Sequence, residues 1–120
     1  MLLHSELLKI VNDSVTLADS AVHEEEYEIP DECRTIQAAL VLGDNAATAF
    51  NLAARIRKRV PVVGGVGTFD IATANILSQV AVGVSSGSNV TFMACNYLRI
   101  SAQASVGLTS RFFWVIKFYS

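Results

Sequence analysis

Residues 60–70 have the sequence Val-Pro-Val-Val-Gly-Gly-Val-Gly-Thr-Phe-Asp, in which β-branched residues are followed by a cluster of glycines. The valines before the glycines favour a short buried strand. Gly64 to Thr68 predicts a tight turn, because glycine adopts backbone conformations that other residues avoid. Residues 68–79 then carry apolar side chains at helical spacing. This segment therefore predicts a strand, a turn and the start of a helix.

The preceding segment completes the same pattern. Residues 35–42 are almost continuously apolar, as is typical of a parallel strand that is covered on both faces. Asp44 or Asn45 can cap a helix that begins near Ala46, and the basic stretch at the end of this helix complements its dipole. A strand, a helix and a strand form a right-handed βαβ unit. We therefore predict an α/β domain with a three-layer Rossmann-like fold and a short, mostly parallel sheet.

The N-terminal part is predicted to lie outside this unit. Residues 2–22 have apolar positions at helical spacing, and the acidic residues 23–34 predict an exposed connection. The domains are then an N-terminal helix with an acidic connection over residues 1–34 and an α/β nucleotide-binding-like domain over residues 35–120. The alternative is a flexible linker after a detachable N-terminal helix.

The C-terminal part continues the alternation of strands and helices. We predict a strand over residues 80–84, a helix over residues 90–106 that Ser88 or Asn89 caps, and a final strand over residues 112–118.

Composition is typical of a folded protein with one core. The chain has 120 residues, of which 52% are hydrophobic and 17% charged. No apolar run is long enough to span a membrane, and the N-terminus has no signal-peptide pattern, so we expect a cytoplasmic protein without a membrane partner. Cys33 and Cys95 have no metal-site spacing and are interpreted as reduced thiols.

Charge is distributed unevenly along the chain. The net charge of −2 argues against a general nucleic-acid partner, since binding to phosphates needs a concentrated basic surface. Residues 24–32 are rich in acids, and residues 55–59 are rich in cations. Both runs are interpreted as solvated surface.

The glycine turn is the segment that suggests chemistry. Its backbone N–H groups and the N-terminus of the following helix can bind a phosphate. Thr68 either donates its hydroxyl to that phosphate or caps the helix. Asp70 would repel a bare phosphate, and so it suits a ribose hydroxyl or a nicotinamide. The G-x-G-x-x-G fingerprint and the Walker lysine are both missing.

Residues 64–72, Gly-Gly-Val-Gly-Thr-Phe-Asp-Ile-Ala, resemble the G-G-G-x-[ST]-x-D-x-A segment of the dehydroquinate synthase-like superfamily, which includes glycerol and glycerol-1-phosphate dehydrogenases. Residues 40–45 are similar to its early strand and turn, and residues 85–89 are similar to its P-T-x-x-S-x-D stretch. The resemblance implies NAD or NADP as the cofactor, bound through its pyrophosphate. Asn89 stands where the family often has a metal-binding aspartate, and we predict no metal site.

A second resemblance concerns the order of elements. A strand, Gly43-Asp44-Asn45, an alanine-rich helix, a strand, Gly64-Gly65 and, later, Asn96 with Arg99 are similar in order to the YdcF and SanA-like family of α/β proteins. This resemblance implies a protein that binds a nucleotide or S-adenosylmethionine.

Two functional hypotheses follow. No Ser/His/Asp or Cys/His set can be assembled, so no catalytic residue is predicted. The first hypothesis is binding of a nucleotide or dinucleotide phosphate by a truncated dehydrogenase-like domain. The alternative is a non-catalytic interaction module or a fragment of a larger α/β enzyme, and we expect a homo-oligomer or a larger assembly. The candidate cofactor-binding residues are Gly43, Asp44, Asn45, Gly64, Gly65, Gly67, Thr68, Asp70, Ser86 and Ser88.

Overall fold

The computed structural model describes residues 6–89 and 96–120, and it describes their side chains except those of residues 68–74, 88 and 89. Within these ranges the chain forms β-strands and no helix. The strands are β1 (Leu7–Ala18), β2 (Val22–Glu28), β3 (Thr35–Leu42), β4 (Ala47–Val62), β5 (Gly65–Ser78), β6 (Gly83–Asn89), β7 (Tyr97–Ala104) and β8 (Thr109–Tyr119).

These strands form two four-stranded sheets. The first sheet has the order β1-β8-β3-β6, and the second sheet has the order β2-β7-β4-β5. Every pair of neighbouring strands is antiparallel. The pairs β1/β8, β2/β7, β3/β6 and β4/β5 are nested along the chain and alternate between the two sheets. This connectivity is that of the jelly roll, a double-sheet fold built from two Greek keys.

The core lies between the inner faces of the sheets. In β8, Phe112, Trp114, Ile116 and Phe118 are buried, whereas the residues between them are exposed or half-buried. Since successive side chains of a strand point to opposite faces, this alternation gives each sheet one core face. Phe50 of β4 meets Phe112 nearly edge-on, with ring centroids 5.0 Å apart, and so joins the two sheets at the centre.

The predicted α/β fold with a Rossmann-like parallel sheet is wrong, because the described chain is all-β and antiparallel. The segment predicted as the helix of the βαβ unit, from Ala46 to Arg59, lies almost entirely in β4. Phe50, Leu52 and Ala54 are buried there at a spacing of two. The helix propensity of the alanines is a weak preference, and packing of the alternating face overrides it.

The other predicted helices are also wrong where the structure describes them. Residues 2–22 contain β1, residues 68–79 lie almost entirely in β5, and the described part of residues 90–106 contains β7. Residues 90–95, which include Cys95, lie outside the described residues. The acidic segment predicted as a connection contains β2, which pairs with β7.

Two predicted strands are confirmed, although neither is parallel. β3 has the predicted bounds, and residues 112–118 lie within β8. The predicted strand over residues 80–84 overlaps only the start of β6. β1 and β2 pair with β8 and β7, so each supplies an edge strand to one sheet. Across the described ranges, no helix has the length and apolar character needed to cross a membrane.

Candidate interaction surfaces

A long hairpin extends past the body of the second sheet. β4 has 16 residues and β5 has 14. β7 pairs with β4 as far as Arg55. Asn96, just before β7, continues the contact with Arg57. Its side-chain oxygen accepts from the backbone N–H of Arg57 at 2.8 Å, and its side-chain N–H donates to the backbone carbonyl of Arg57 at 2.7 Å. Beyond Arg57, β5 is the only described strand that pairs with β4. We call residues 58–69 the arm; at ~3.3 Å per residue it extends about 15 Å.

The tip of the arm is apolar and exposed. Val62 pairs with Gly65, which leaves Val63 and Gly64 as a two-residue turn. Gly64 has φ 88°, a value that a turn of this kind requires at its second central position and that favours glycine. Val63 is 106% exposed and so has no cover, and Val66 is 60% exposed.

A cluster of charged residues holds the base of the arm on the outer face of the second sheet. The carboxylate of Glu26 in β2 accepts hydrogen bonds from Arg57 in β4, one of them 2.5 Å long, and from Arg99 in β7, at 3.0 and 2.5 Å. The guanidinium of Arg57 also lies 5.1 Å from the centre of the Tyr97 ring. The hydrogen bond from Arg57 is the main cause that lowers the pKa of Glu26 below its ordinary value, against the opposing effect of burial.

The second sheet therefore has charges of opposite sign on its two sides. β2 forms one edge and carries Glu24 and Glu28 as exposed residues, and Asp31 and Glu32 are exposed in the turn that follows it. On the other side, the arm carries the exposed cations Lys58 and Arg59. The acidic and basic runs that are separate in the sequence thus meet at the base of the arm, where Glu26 pairs with Arg57, while Lys58 and Arg59 lie beyond that pair along β4.

The outer face of the first sheet is partly apolar. Phe113 and Val115 of β8 are 38% and 36% exposed, and Val84 of β6 is 64% exposed. A depression of about 430 Å³ lies beside Val115, and polar side chains from three strands border it. These are Gln37, Ser86 and Lys117. An apolar centre with a polar rim is the usual composition of a protein interface.

Three of the predicted site residues lie together in the β3–β4 loop. The Gly43 N–H donates to the carbonyl of Arg111 at 2.9 Å, Asp44 forms an ion pair of 2.5 Å with the same arginine, and the Asn45 side chain donates to the carbonyl of Thr109 at 2.8 Å. These contacts fix the loop against the start of β8. The loop functions here as a structural connection between the two sheets.

The remaining predicted site residues do not join that loop. Gly64 is in the turn of the arm, and Gly65, Gly67, Thr68 and Asp70 are in β5. Ser86 and Ser88 are in β6, where they pair with Ala39 and Gln37 of β3. Since β4 has 16 residues, its ends are roughly 50 Å apart, and the two glycine turns lie near opposite ends.

The glycine turn lacks the helix on which the phosphate site depended. Its glycines belong to a β-hairpin, so the predicted nucleotide-binding function of an α/β domain is wrong. The predicted cofactor, NAD or NADP, stays a prediction. The helix N-terminus that was expected to bind its pyrophosphate is replaced by strand β5. Across the described ranges, no cluster of His, Cys, Asp or Glu is arranged to hold a metal ion.

A series of hydrogen-bonded polar side chains lines the inner face where β2 approaches β8. Nε1 of Trp114 donates to the Tyr27 hydroxyl at 2.9 Å, and this hydroxyl donates to the Glu25 carboxylate at 2.6 Å. Nε2 of His23 lies 2.8 Å from the same carboxylate. Burial, followed by the nearby Glu25, raises the pKa of Tyr27 to about 12. This series of hydrogen bonds gives the indole N–H of Trp114, the largest fully buried side chain, an acceptor.

Sequence reasoning missed the exposed surfaces but noted the charge runs. The signal for β2 was its alternation of His23, Glu25 and Tyr27 with Glu24 and Glu26. The apolar tip was visible only as the valines of a presumed buried strand. Because burial depends on the whole fold, no local pattern distinguishes an exposed valine from a buried one.

Comparison of the chain with protein-family models and with curated proteins gives no match. Neither the dehydroquinate synthase-like resemblance nor the YdcF and SanA-like resemblance gains support, and both imply an α/β fold that the chain does not have.

Proposed function

We propose that this chain is a structural subunit that assembles with further copies of itself into an oligomer or larger assembly. The observation that carries the proposal is the arm, a two-stranded ribbon with an uncovered apolar tip. Jelly rolls occur in viral capsid proteins, lectin domains and cupins, so the fold does not by itself select a function. The proposal therefore rests on the surfaces.

The arm needs a partner for two physical reasons. A two-stranded hairpin is at best marginally stable in water without further packing. Exposed apolar groups at Val62, Val63 and Val66 add a surface that proteins usually cover. A contact that buries the tip would therefore stabilise the arm and the assembly together.

The free energy gained by burying the tip is too small for the tip to be the whole interface. Complete burial of three valines supplies about 5 kcal/mol. Association costs roughly 4–15 kcal/mol in lost freedom of motion, so the tip alone does not hold two copies together. The outer face of the first sheet, with Phe113, Val115 and Val84, offers a second apolar surface on the same chain. Its presence supports a copy of this chain as the partner.

We also propose the cytoplasm as the compartment. Cys33 is a half-buried free thiol, and its pKa is raised by burial, which keeps the unreactive protonated form. A reduced thiol of this kind is what that compartment maintains.

The test compares the mass of the full chain with that of a tip variant, Val63→Asp with Val66→Asp, by size-exclusion chromatography with light scattering. The matched control is Val106→Asp, because Val106 is 80% exposed in the turn between β7 and β8 and lies far from the arm. We expect oligomers for the wild-type chain and for the control, and a monomer for the tip variant.

Far-ultraviolet circular dichroism checks that the tip variant keeps its strands. A tip variant that is folded and assembles as the wild type does would overturn the role of the arm. A wild-type chain that is monomeric at all concentrations would overturn the proposed function itself.

A further inference from the structure

We infer that the arm of one copy lies against the acidic edge strand β2 of the next copy, with the cations of the arm facing the acids of that edge. This inference rests on the proposed function, and it names the surface that receives the arm. The partner is a second copy of this chain.

The arm carries two exposed cations, Lys58 and Arg59. Neither forms an ion pair with a side chain that the structure describes, a set that leaves out residues 68–74, 88 and 89. Both follow Arg57, the last residue of β4 that contacts the β7 side of the sheet within the described residues. The arm thus presents positive charge beyond the reach of the Glu26 cluster.

The edge of β2 carries the complementary charge. Glu28 is exposed on the outer face of the strand, and Asp31 and Glu32 are exposed just after it. Among the described residues, no salt bridge forms to any of these three acids. Glu26 differs because Arg57 and Arg99 already pair with it, so the free acids are those nearest the open end of the edge.

Within one chain, β7 separates the edge strand β2 from β4, which carries Lys58 and Arg59. Among the side chains that the structure describes, these cations form no ion pair with Glu28, Asp31 or Glu32, so the opposite charges remain to attract a second copy. Because the contact joins two different surfaces, copies that use it form a reciprocal pair, a closed ring or a growing chain.

Salt distinguishes this contact from a purely apolar one. Screening weakens attraction between exposed charges, whereas it does not weaken burial of valines. We expect the dissociation constant of the wild-type assembly to rise at least about tenfold between roughly 0.05 M and 0.5 M NaCl. An assembly that is unchanged or strengthened by NaCl would contradict a charged contact.

The decisive experiment exchanges charges between two variants of the full chain. One variant carries Lys58→Glu and Arg59→Glu, which makes both surfaces acidic. The other carries Glu28→Lys and Asp31→Lys, which makes both surfaces basic. All four positions are exposed, so each variant is expected to fold, and circular dichroism with thermal unfolding checks this.

We expect each variant alone to be monomeric at concentrations where the wild type assembles. An equimolar mixture should restore particles of wild-type size, and native mass spectrometry should find the two variants in equal numbers. Assembly of either variant alone would overturn the inference and leave the proposed function standing. A mixture that stays monomeric, or that forms particles of irregular composition, would also overturn the inference.

Discussion

At the residue scale, Glu26 connects three strands of the second sheet through its two arginine partners. Its lowered pKa means that the folded state favours the ionised carboxylate. Such a group stabilises the fold fully above its unfolded pKa, and this contribution is lost as the pH falls through the folded pKa. The cluster therefore stabilises the base of the arm at neutral pH and loses this effect in acid.

The first prediction is that Glu26→Gln lowers the free energy of unfolding by about 1 kcal/mol at neutral pH. The value is modest because the glutamine amide oxygen still accepts a hydrogen bond from the arginines, and water reaches the cluster, whose side chains are about a quarter exposed. Urea unfolding between neutral pH and about pH 3, which extends below the ordinary glutamate pKa, measures it. We expect the wild type to lose stability on acidification more steeply than the variant. If the free energies of unfolding of the two proteins fall equally with pH, the ionised carboxylate of Glu26 does not stabilise the fold.

The second prediction concerns Tyr27, whose pKa is raised to about 12 from an ordinary 10.0. The folded state retains the phenolic proton more strongly than the unfolded chain does, so this stabilisation is complete below about pH 10 and declines between about pH 10 and pH 12. Near-ultraviolet titration should show one of the 3 tyrosines ionising last. In Tyr27→Phe this late ionisation should be missing. Its persistence would assign it to another tyrosine.

At the element scale, β4 shows what the sequence could predict. The spacing of Phe50, Leu52, Ala54 and Ile56 fits a strand, while the same residues with neighbouring alanines also fit a helix. Only pairing with β5, which follows directly in the chain, and with β7, from a distant part of the chain, decides between them. β3 was predictable because residues 35–42 form a short, almost continuously apolar run of eight residues that a glycine ends, which favours a buried strand over a helix.

The arm illustrates a different limit of prediction. The glycine turn at Gly64 was recognised, and its positive φ confirms that a turn requires glycine there. Whether a helix or a second strand follows such a turn depends on residues 65–78 finding a strand partner. The candidate site built on a helix N-terminus failed for this reason.

The third prediction is that the arm can be shortened without unfolding the sandwich. Replacing residues 59–68 by Asn-Gly keeps Lys58 opposite Phe69 and supplies the dipeptide that favours a two-residue hairpin turn. No residue of the buried core lies in the deleted segment. We expect the thermal unfolding midpoint of the monomer to change by only a few degrees. A variant that fails to fold would show that the arm belongs to the core unit.

At the scale of the whole molecule, the N-terminal strands belong to the same sandwich as the rest. β1 pairs with β8 along most of its length, and its half-buried Val11, Val15 and Leu17 pack against the core. The sequence suggested a separate N-terminal helix because its apolar residues also have helical spacing. The nested pairing of first and last strands is a long-range feature that no local window contains.

The fourth prediction is that deletion of residues 1–20 abolishes cooperative folding. The deletion removes β1, exposes part of the inner face and leaves β8 as an unpaired aromatic edge that is prone to aggregation. Refolding yield and circular dichroism of the truncated chain measure the effect. A soluble truncated chain with a sharp unfolding transition would instead support a detachable N-terminal segment.

The central claim is that copies of this chain assemble through the arm. Sedimentation velocity over a concentration series from about 1 to 100 µM tests it most directly, because a reversible assembly depends on protein concentration. We predict that the wild type passes from the monomer mass of 12.9 kDa to defined multiples of it, while the chain with the shortened arm stays monomeric. A wild-type chain that sediments as a monomer throughout the series would contradict the claim.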